Sequence, residues 1–248
     1  MSLSNPSLLQ VVKKQYAFKL KAYAQVFFSL VITQLIGVFF SLGASGGMSG
    51  SSESIQMKVN YYSTNNVVFF TMLWAFITAI TITTKAYRND DFAFVANRIS
   101  SNLSNVLFLL TASIVGGITA TLSTYLIKVI LVYFFGYQLV TAPGTMAATN
   151  IFLLGLSTTI FYFFLICSLG YFFGTLVQIN KIFIVLLPAA FIGLLTAEGT
   201  GKVKLATAAV EFIFTESSIL LFFIKVIASA GLLLTCAFIL ADRMEVRQ

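Results

Sequence analysis

Residues 26–44 read VFFSLVITQLIGVFFSLGA, 19 consecutive positions without a charged side chain. A helix needs roughly 20 apolar residues to cross the hydrocarbon core of a bilayer, so this stretch alone predicts a transmembrane span. Working outward, five more apolar stretches follow at 67–84, 106–127 with an extension to 135, 151–177, 182–197 and 217–241. The chain as a whole is 58% hydrophobic and 9% charged, with a mean hydropathy of +0.95, whereas a soluble domain carries about 25% charged residues. A water-soluble globule is excluded. Backbone polar groups must be satisfied internally within hydrocarbon, and the stretches lack the alternating pattern of an outer-membrane barrel, so each is expected to be an α-helix. The predicted fold is all-α: a polytopic bundle of six transmembrane helices forming a single domain over residues 1–248.

Orientation follows from Lys and Arg in the flanks, because short basic loops stay in the cytoplasm. With the N-terminus inside, the inner side collects Lys13, Lys14, Lys19, Lys21, Lys85, Arg88, Arg98, Lys181, Arg243 and Arg247. The outer side holds Lys58, Lys202 and Lys204. Both termini are therefore expected in the cytoplasm, and the net charge of +7 reads as topology, not as a nucleic-acid surface, which needs clustered cations on a polar face. Lys128 and Lys225 lie within apolar sequence. Lys225 precedes Asp242 by 17 residues, about 25 Å of helix, which brings its ammonium within snorkelling reach of the outer interface; Lys128 is placed similarly. The competing reading makes both lysines part of a polar translocation route.

The segment before the first span, residues 1–25, sets Leu8, Leu9, Val12, Tyr16, Leu20 and Tyr23 against Lys13, Lys14, Lys19 and Lys21. Apolar positions recurring every three to four residues beside lysines predict an interfacial helix on anionic headgroups of the inner leaflet. A cleaved signal peptide is disfavoured, since its apolar core runs only 7 to 15 residues. Residues 45–66, Gly- and Ser-rich at their start, read as a flexible outer loop with Tyr61 and Tyr62 as interfacial anchors. Residues 196–216 mix Glu198, Lys202, Lys204, Glu211 and Glu216 with Val203, Leu205, Val210, Phe212, Ile213 and Phe214. That composition is too polar to span and too apolar for a free loop, and it predicts an outer amphipathic or re-entrant element between helices five and six. Pro188 is expected to kink or break the short fifth helix.

The inner loop 85–103 is the most distinctive polar stretch. Asn89 or Asp90 caps a short helix, which would show Phe92, Phe94, Val95 and Ile99 beside Arg88, Asp90, Asp91 and Arg98. An aromatic face on a cytoplasmic helix suits a partner's groove; the alternative is a solvated turn whose Phe residues touch headgroups. Within the spans, Gly170 and Gly174 form a GxxxG pair, and Gly116 and Gly117 lie among Ser113 and Ala120, so backbones can approach closely there. Thr33, Gln34, Thr78 and Thr81 are polar residues on otherwise apolar spans and candidates for lining a path, although Ser and Thr in membrane helices often bond their own backbone.

Several chemistries are excluded. The chain has no His, which removes Ser-His-Asp and Cys-His nucleophiles and His-ligated metals or haem. Gly199, Thr200, Gly201 and Lys202 imitate the end of a phosphate loop, but the upstream Gly and a following Ser or Thr are missing. No acid falls deep in a span to relay protons or bind Na⁺, and no potassium-filter signature occurs. Asn102-Leu103-Ser104 matches a glycosylation acceptor but lies on the inner side. Cys167 and Cys236 sit in apolar stretches and read as buried thiols. No catalytic, cofactor or metal site is expected.

A basic lead helix, six spans with both ends inside, a helix-bearing loop between spans two and three and a broken apolar element between spans five and six resemble the membrane subunit of ABC-2 type exporters. The stretch after Asp91, FAFVANRISSNLSNVLFLLTASIVGGITATL (residues 92–122), looks most like permeases of Gram-positive bacteria that export antimicrobial or cytolytic peptides. The resemblance implies a permease half that pairs with a second copy or a related permease in the bacterial cytoplasmic membrane. It also implies a separate ABC ATPase that binds ATP and Mg. Residues Arg88, Asp90, Asp91, Phe92, Phe94, Val95 and Arg98 would then couple to that ATPase, Lys202, Lys204, Glu211 and Glu216 would form an outer gate, and an amphipathic or hydrophobic substrate such as a peptide, lipid or antibiotic would leave by alternating access. An ATPase-independent six-span scaffold or immunity protein is the alternative.

Overall fold

The computed structural model describes residues 7–43, 45–52, 55–62, 65–87, 98–135, 145–199, 207–208, 211–212 and 218–243. Its elements run α1 (Leu8–Ala22), α2 (Ala24–Gly43), β1 (Ser45–Ser52), β2 (Ile55–Tyr62), α3 (Asn65–Ile82), α4 (Arg98–Phe135), α5 (Thr145–Ile179), α6 (Phe183–Gly199) and α7 (Ile219–Arg243). Five helices, α2, α3, α4, α5 and α7, are long and apolar enough to cross a bilayer, so the chain is a multi-pass helical membrane protein. The fifth apolar stretch of the sequence becomes α6, whose strongly apolar part, Phe183–Leu194, is shorter. Large apolar side chains such as Leu35, Phe39, Val185 and Leu232 are exposed, as hydrocarbon solvent permits.

One expectation is corrected and another is narrowed. The Gly- and Ser-rich stretch after α2 is an antiparallel hairpin, with register from Ser45↔Tyr62 to Ser52↔Ile55, and is the one sheet among the described residues. Its pairing satisfies backbone groups that a free loop would leave to water. The side chains of Tyr61 and Tyr62 lie outside the description. Pro188 does not break α6, which is helical from Phe183 to Gly199. The helix is nucleated upstream, where Asn180 Oδ1 accepts the Ile182 N–H at 3.0 Å and Asn180 O accepts the Phe183 N–H at 3.1 Å. Pro188 then removes a single backbone donor near the start.

Two compact units divide the chain. One comprises Leu20–Ala75 and Leu110–Phe163. Lipid tails are as apolar as Leu, so helices associate here by close packing and hydrogen bonds. At Gly37 an added Cβ would lie 2.9 Å from Val67 Cα, and at Gly117 it would lie 2.5 Å from Ile160 Cγ1 and 3.3 Å from Ile160 Cα. Around these contacts Val38, Val67, Ala120, Ile127, Leu131 and Phe163 form a buried cluster. Phe40 and Phe70 stack at 5.5 Å, and the Trp74 indole N–H donates to Ser29 Oγ at 2.9 Å.

The other unit comprises Met1–Lys19, Phe76–Leu109 and Phe164–Gln248. Here the GxxxG pair of α5 meets the end of α3. A Cβ at Gly170 would lie 2.6 Å from Phe76 O and 3.0 Å from Ala79 Cβ; one at Gly174 would run into Thr83 Oγ1 and lie 3.1 Å from Ile80 Cα. Edge-to-face ring pairs, Phe76 with Phe173 at 5.7 Å and Tyr171 with Phe238 at 6.3 Å, tie α5 to α3 and α7. Cys167, which is buried, and Cys236, which is half-buried, are not joined in a disulfide.

Candidate functional site

The chemically distinctive place in the second unit is where α1 meets the first turns of α4. A spacing of three and four residues puts Val12, Gln15 and Lys19 on one face of α1, and all three are buried. Lys13, Lys14 and Lys21 stay exposed, as do Leu8, Leu9 and Phe18. The expectation that all four lead-helix lysines serve the headgroups fails for Lys19, which is 1% exposed. An ammonium leaves water cheaply only where oxygen atoms take its protons, and α4 opens with a run of them, Ser100-Ser101-Asn102-Leu103-Ser104-Asn105. Lys19 Nζ donates to Asn105 Oδ1 at 2.5 Å and to Ser104 Oγ at 2.8 Å, and reaches Ser101 O at 3.5 Å.

The network continues to a third helix. Ser104 Oγ–H donates to Ser101 O at 2.8 Å; Asn105 Nδ2 donates to Tyr171 Oη at 3.3 Å; the Tyr171 hydroxyl donates to Asn102 Oδ1 at 3.1 Å. Ser100, Ser104, Asn105 and Tyr171 are all buried. Lys19 therefore anchors a clip joining α1, α4 and α5, in which each bond polarises the next. Gln15, one turn before Lys19, is also 1% exposed, and neither its Nε2 nor its Oε1 has a hydrogen-bond partner among the described residues. Burying such an unpaired group costs about 1–3 kcal/mol.

In the other unit, Gln34 is a second polar node. It is 6% exposed, and its Nε2 donates to Thr119 Oγ1 at 2.9 Å and lies 3.4 Å from both Gly116 O and Thr71 Oγ1. Of the other path candidates, the Thr33 and Thr81 hydroxyls donate to their own helices, to Ser29 O and Ile77 O, each at 2.8 Å, while Thr78 is buried. Lys128 is exposed, with its ammonium 5.2 Å from the Tyr125 ring centroid. Lys225 donates to Phe212 O at 3.3 Å and sits 4.2 Å from that residue's ring centroid, so it ties α7 to the short helical piece that contains Glu211.

Arg88, Asp90, Asp91, Phe92, Phe94 and Val95 lie outside the described residues, as do Lys202, Lys204 and Glu216; Arg98 opens α4, with its side chain outside the description, and Glu211 is exposed. Gly117, Gly170 and Gly174 sit at close helix contacts, while a Cβ at Gly116 would meet only the Phe163 and Thr71 side chains at 3.4–3.6 Å. Sequence reasoning missed Lys19 as a buried cation, Gln15, Tyr171 and Gly37. It set Asn102-Leu103-Ser104 aside as an idle glycosylation match, although Asn102 and Ser104 both belong to the clip. The available signal was five uncharged polar residues within six positions at the mouth of an apolar helix. Among the described residues no group of three or more His, Cys, Asp or Glu is placed to hold a metal ion. Comparison with protein-family models, with characterised proteins and with solved structures found no match to this chain.

Proposed function

We propose that this chain is the membrane-spanning permease subunit of an ATP-driven exporter of the ABC-2 type. In this reading α6 completes a set of six spans, both termini face the cytoplasm, and residues 196–216 form a re-entrant outer gate. The chain pairs with a second copy or a related permease, and each half docks on a separate ATPase that binds ATP and Mg. An amphipathic or hydrophobic substrate then moves outward by alternating access.

The observation that carries the proposal is the clip. Helix α4 leaves the inner loop that would enter the ATPase groove, and Lys19 and the Asn105–Tyr171–Asn102 bonds fasten α1 and α5 to its first turns. A displacement at the loop is thereby delivered to three helices at once, which is what coupling requires, because packed elements move as bodies and do not deform continuously. The deciding experiment is affinity purification of the tagged chain from its native membrane in mild detergent, with mass spectrometry and an ATPase assay. The reading predicts a P-loop ATPase at about one per permease, lost in the Phe92→Asp/Phe94→Asp double variant. Recovery of the chain alone, without ATPase activity under conditions that preserve other membrane complexes, would overturn it in favour of a scaffold or immunity role.

A further inference from the structure

The inward face of α1 carries two polar side chains one turn apart with opposite effects. Lys19 is matched by Ser101, Ser104 and Asn105. Gln15 is buried to the same degree without a partner for either amide atom among the described residues. Helix propensity does not explain Gln at this position, since Leu and Met are at least as good helix formers, and either would fill similar volume without a polar penalty. A local conflict of this kind, beside an otherwise satisfied network, is expected where a protein needs an element to move. On the outer face of α1, Lys13, Lys14, Lys21 and Leu9 are already exposed with the helix docked.

We propose that α1 is a reversible latch on the base of α4, closed by Lys19 and weakened by Gln15. Opening returns the Gln15 amide to water and uncovers Ser104, which is buried in the closed form under the Lys19 ammonium. Gln15 sets how often this happens, because its unpaired amide penalises only the closed state and a ligand-free equilibrium follows the difference between its two states. The inference rests on the α1–α4 contact alone and stands independently of the exporter reading.

Hydrogen exchange read by mass spectrometry on the full chain in lipid nanodiscs tests it, since exchange reports local opening. In Gln15→Leu, exchange of peptides from α1 is expected to slow about tenfold, or about 1.4 kcal/mol in the opening equilibrium, while peptides from residues 110–125 of α4 keep their rates. Gln15→Met is expected to give the same result and serves if the leucine variant folds poorly. Lys19→Met is expected to speed α1 exchange by tenfold or more. Unchanged or faster α1 exchange in both Gln15 variants would overturn the latch. Slowing of equal size in every helix would also overturn it, because Gln15 would then bear on overall stability and not on a local opening.

Discussion

Lys19→Met is expected to lower the stability of the protein by about 3 kcal/mol. The methionine keeps the length and the apolar stem of the side chain, so the loss reports the ammonium and its hydrogen bonds. Each charge-assisted bond contributes about 1.5–3 kcal/mol, and two are short, to Ser104 Oγ at 2.8 Å and to Asn105 Oδ1 at 2.5 Å. Ser104 already donates to Ser101 O beside the ammonium and keeps that bond in the variant, so the loss is confined to the bonds Lys19 itself makes. Thermal unfolding in detergent, followed by the fluorescence of Trp74, reads the change, because Trp74 is the single tryptophan and is packed with its indole N–H on Ser29. Lys21→Met, two positions away on the exposed face, is expected to leave the transition within about 0.5 kcal/mol of wild type, as for an ordinary surface change.

Gly170→Leu is expected to cost about 3 kcal/mol, the upper end of what overpacking a fitted contact typically costs. The first added carbon would already lie 2.6 Å from the carbonyl oxygen of Phe76 and 3.2 Å from its Cα. These are backbone atoms of α3 and cannot swing aside as a side chain would, so α3 and α5 must separate and lose the dispersion contacts that hold helices together in lipid. Gly193→Leu and Gly231→Leu are the controls. Nothing lies within 4 Å of a Cβ at either position, and neither change is expected to lower stability. The same fluorescence-detected melting in detergent distinguishes the three variants.

Five of the six expected spans were legible in the sequence because a bilayer imposes one demand, a long uncharged run, that local composition meets or fails. The glycines at 117, 170 and 174 were legible for a related reason: small residues recurring at helical spacing mark where backbones approach. Gly37 was not, because a single Gly in a helix carries no spacing, and its role comes from Val67 arriving opposite it. The hairpin at Ser45–Tyr62 was hidden because SGGMSGSS lacks the alternation that signals a strand; its pairing with IQMKVNYY is a property of both segments together.

The candidate site failed to show for a deeper reason. Periodicity sorts residues by polarity, and on that measure Lys19 belongs with Lys13, Lys14 and Lys21 while Leu8, Leu9 and Val12 belong to the apolar side. The structure buries Lys19 beside Val12, because the face of α1 that carries both meets the polar opening of α4. Only knowledge of which helix face α1 meets turns the Ser100–Asn105 run from a polar cap into a set of acceptors for a lysine 82–86 residues earlier. Once that pairing is known, the lysines of α1 divide by position: 13, 14 and 21 for the exposed face, 19 for the clip.

Lysine footprinting of the unmodified protein tests the buried clip most directly. The native membrane is permeabilised so that the reagent reaches both faces, treated briefly with an acylating reagent, and digested for peptide mapping by mass spectrometry. The account predicts that Lys13, Lys14 and Lys21 are acylated readily and that Lys19, with its ammonium enclosed by Ser101, Ser104 and Asn105, reacts at least about tenfold more slowly, the factor that corresponds to about 1.4 kcal/mol of protection. Acylation of Lys19 at the rate of its three neighbours would contradict it.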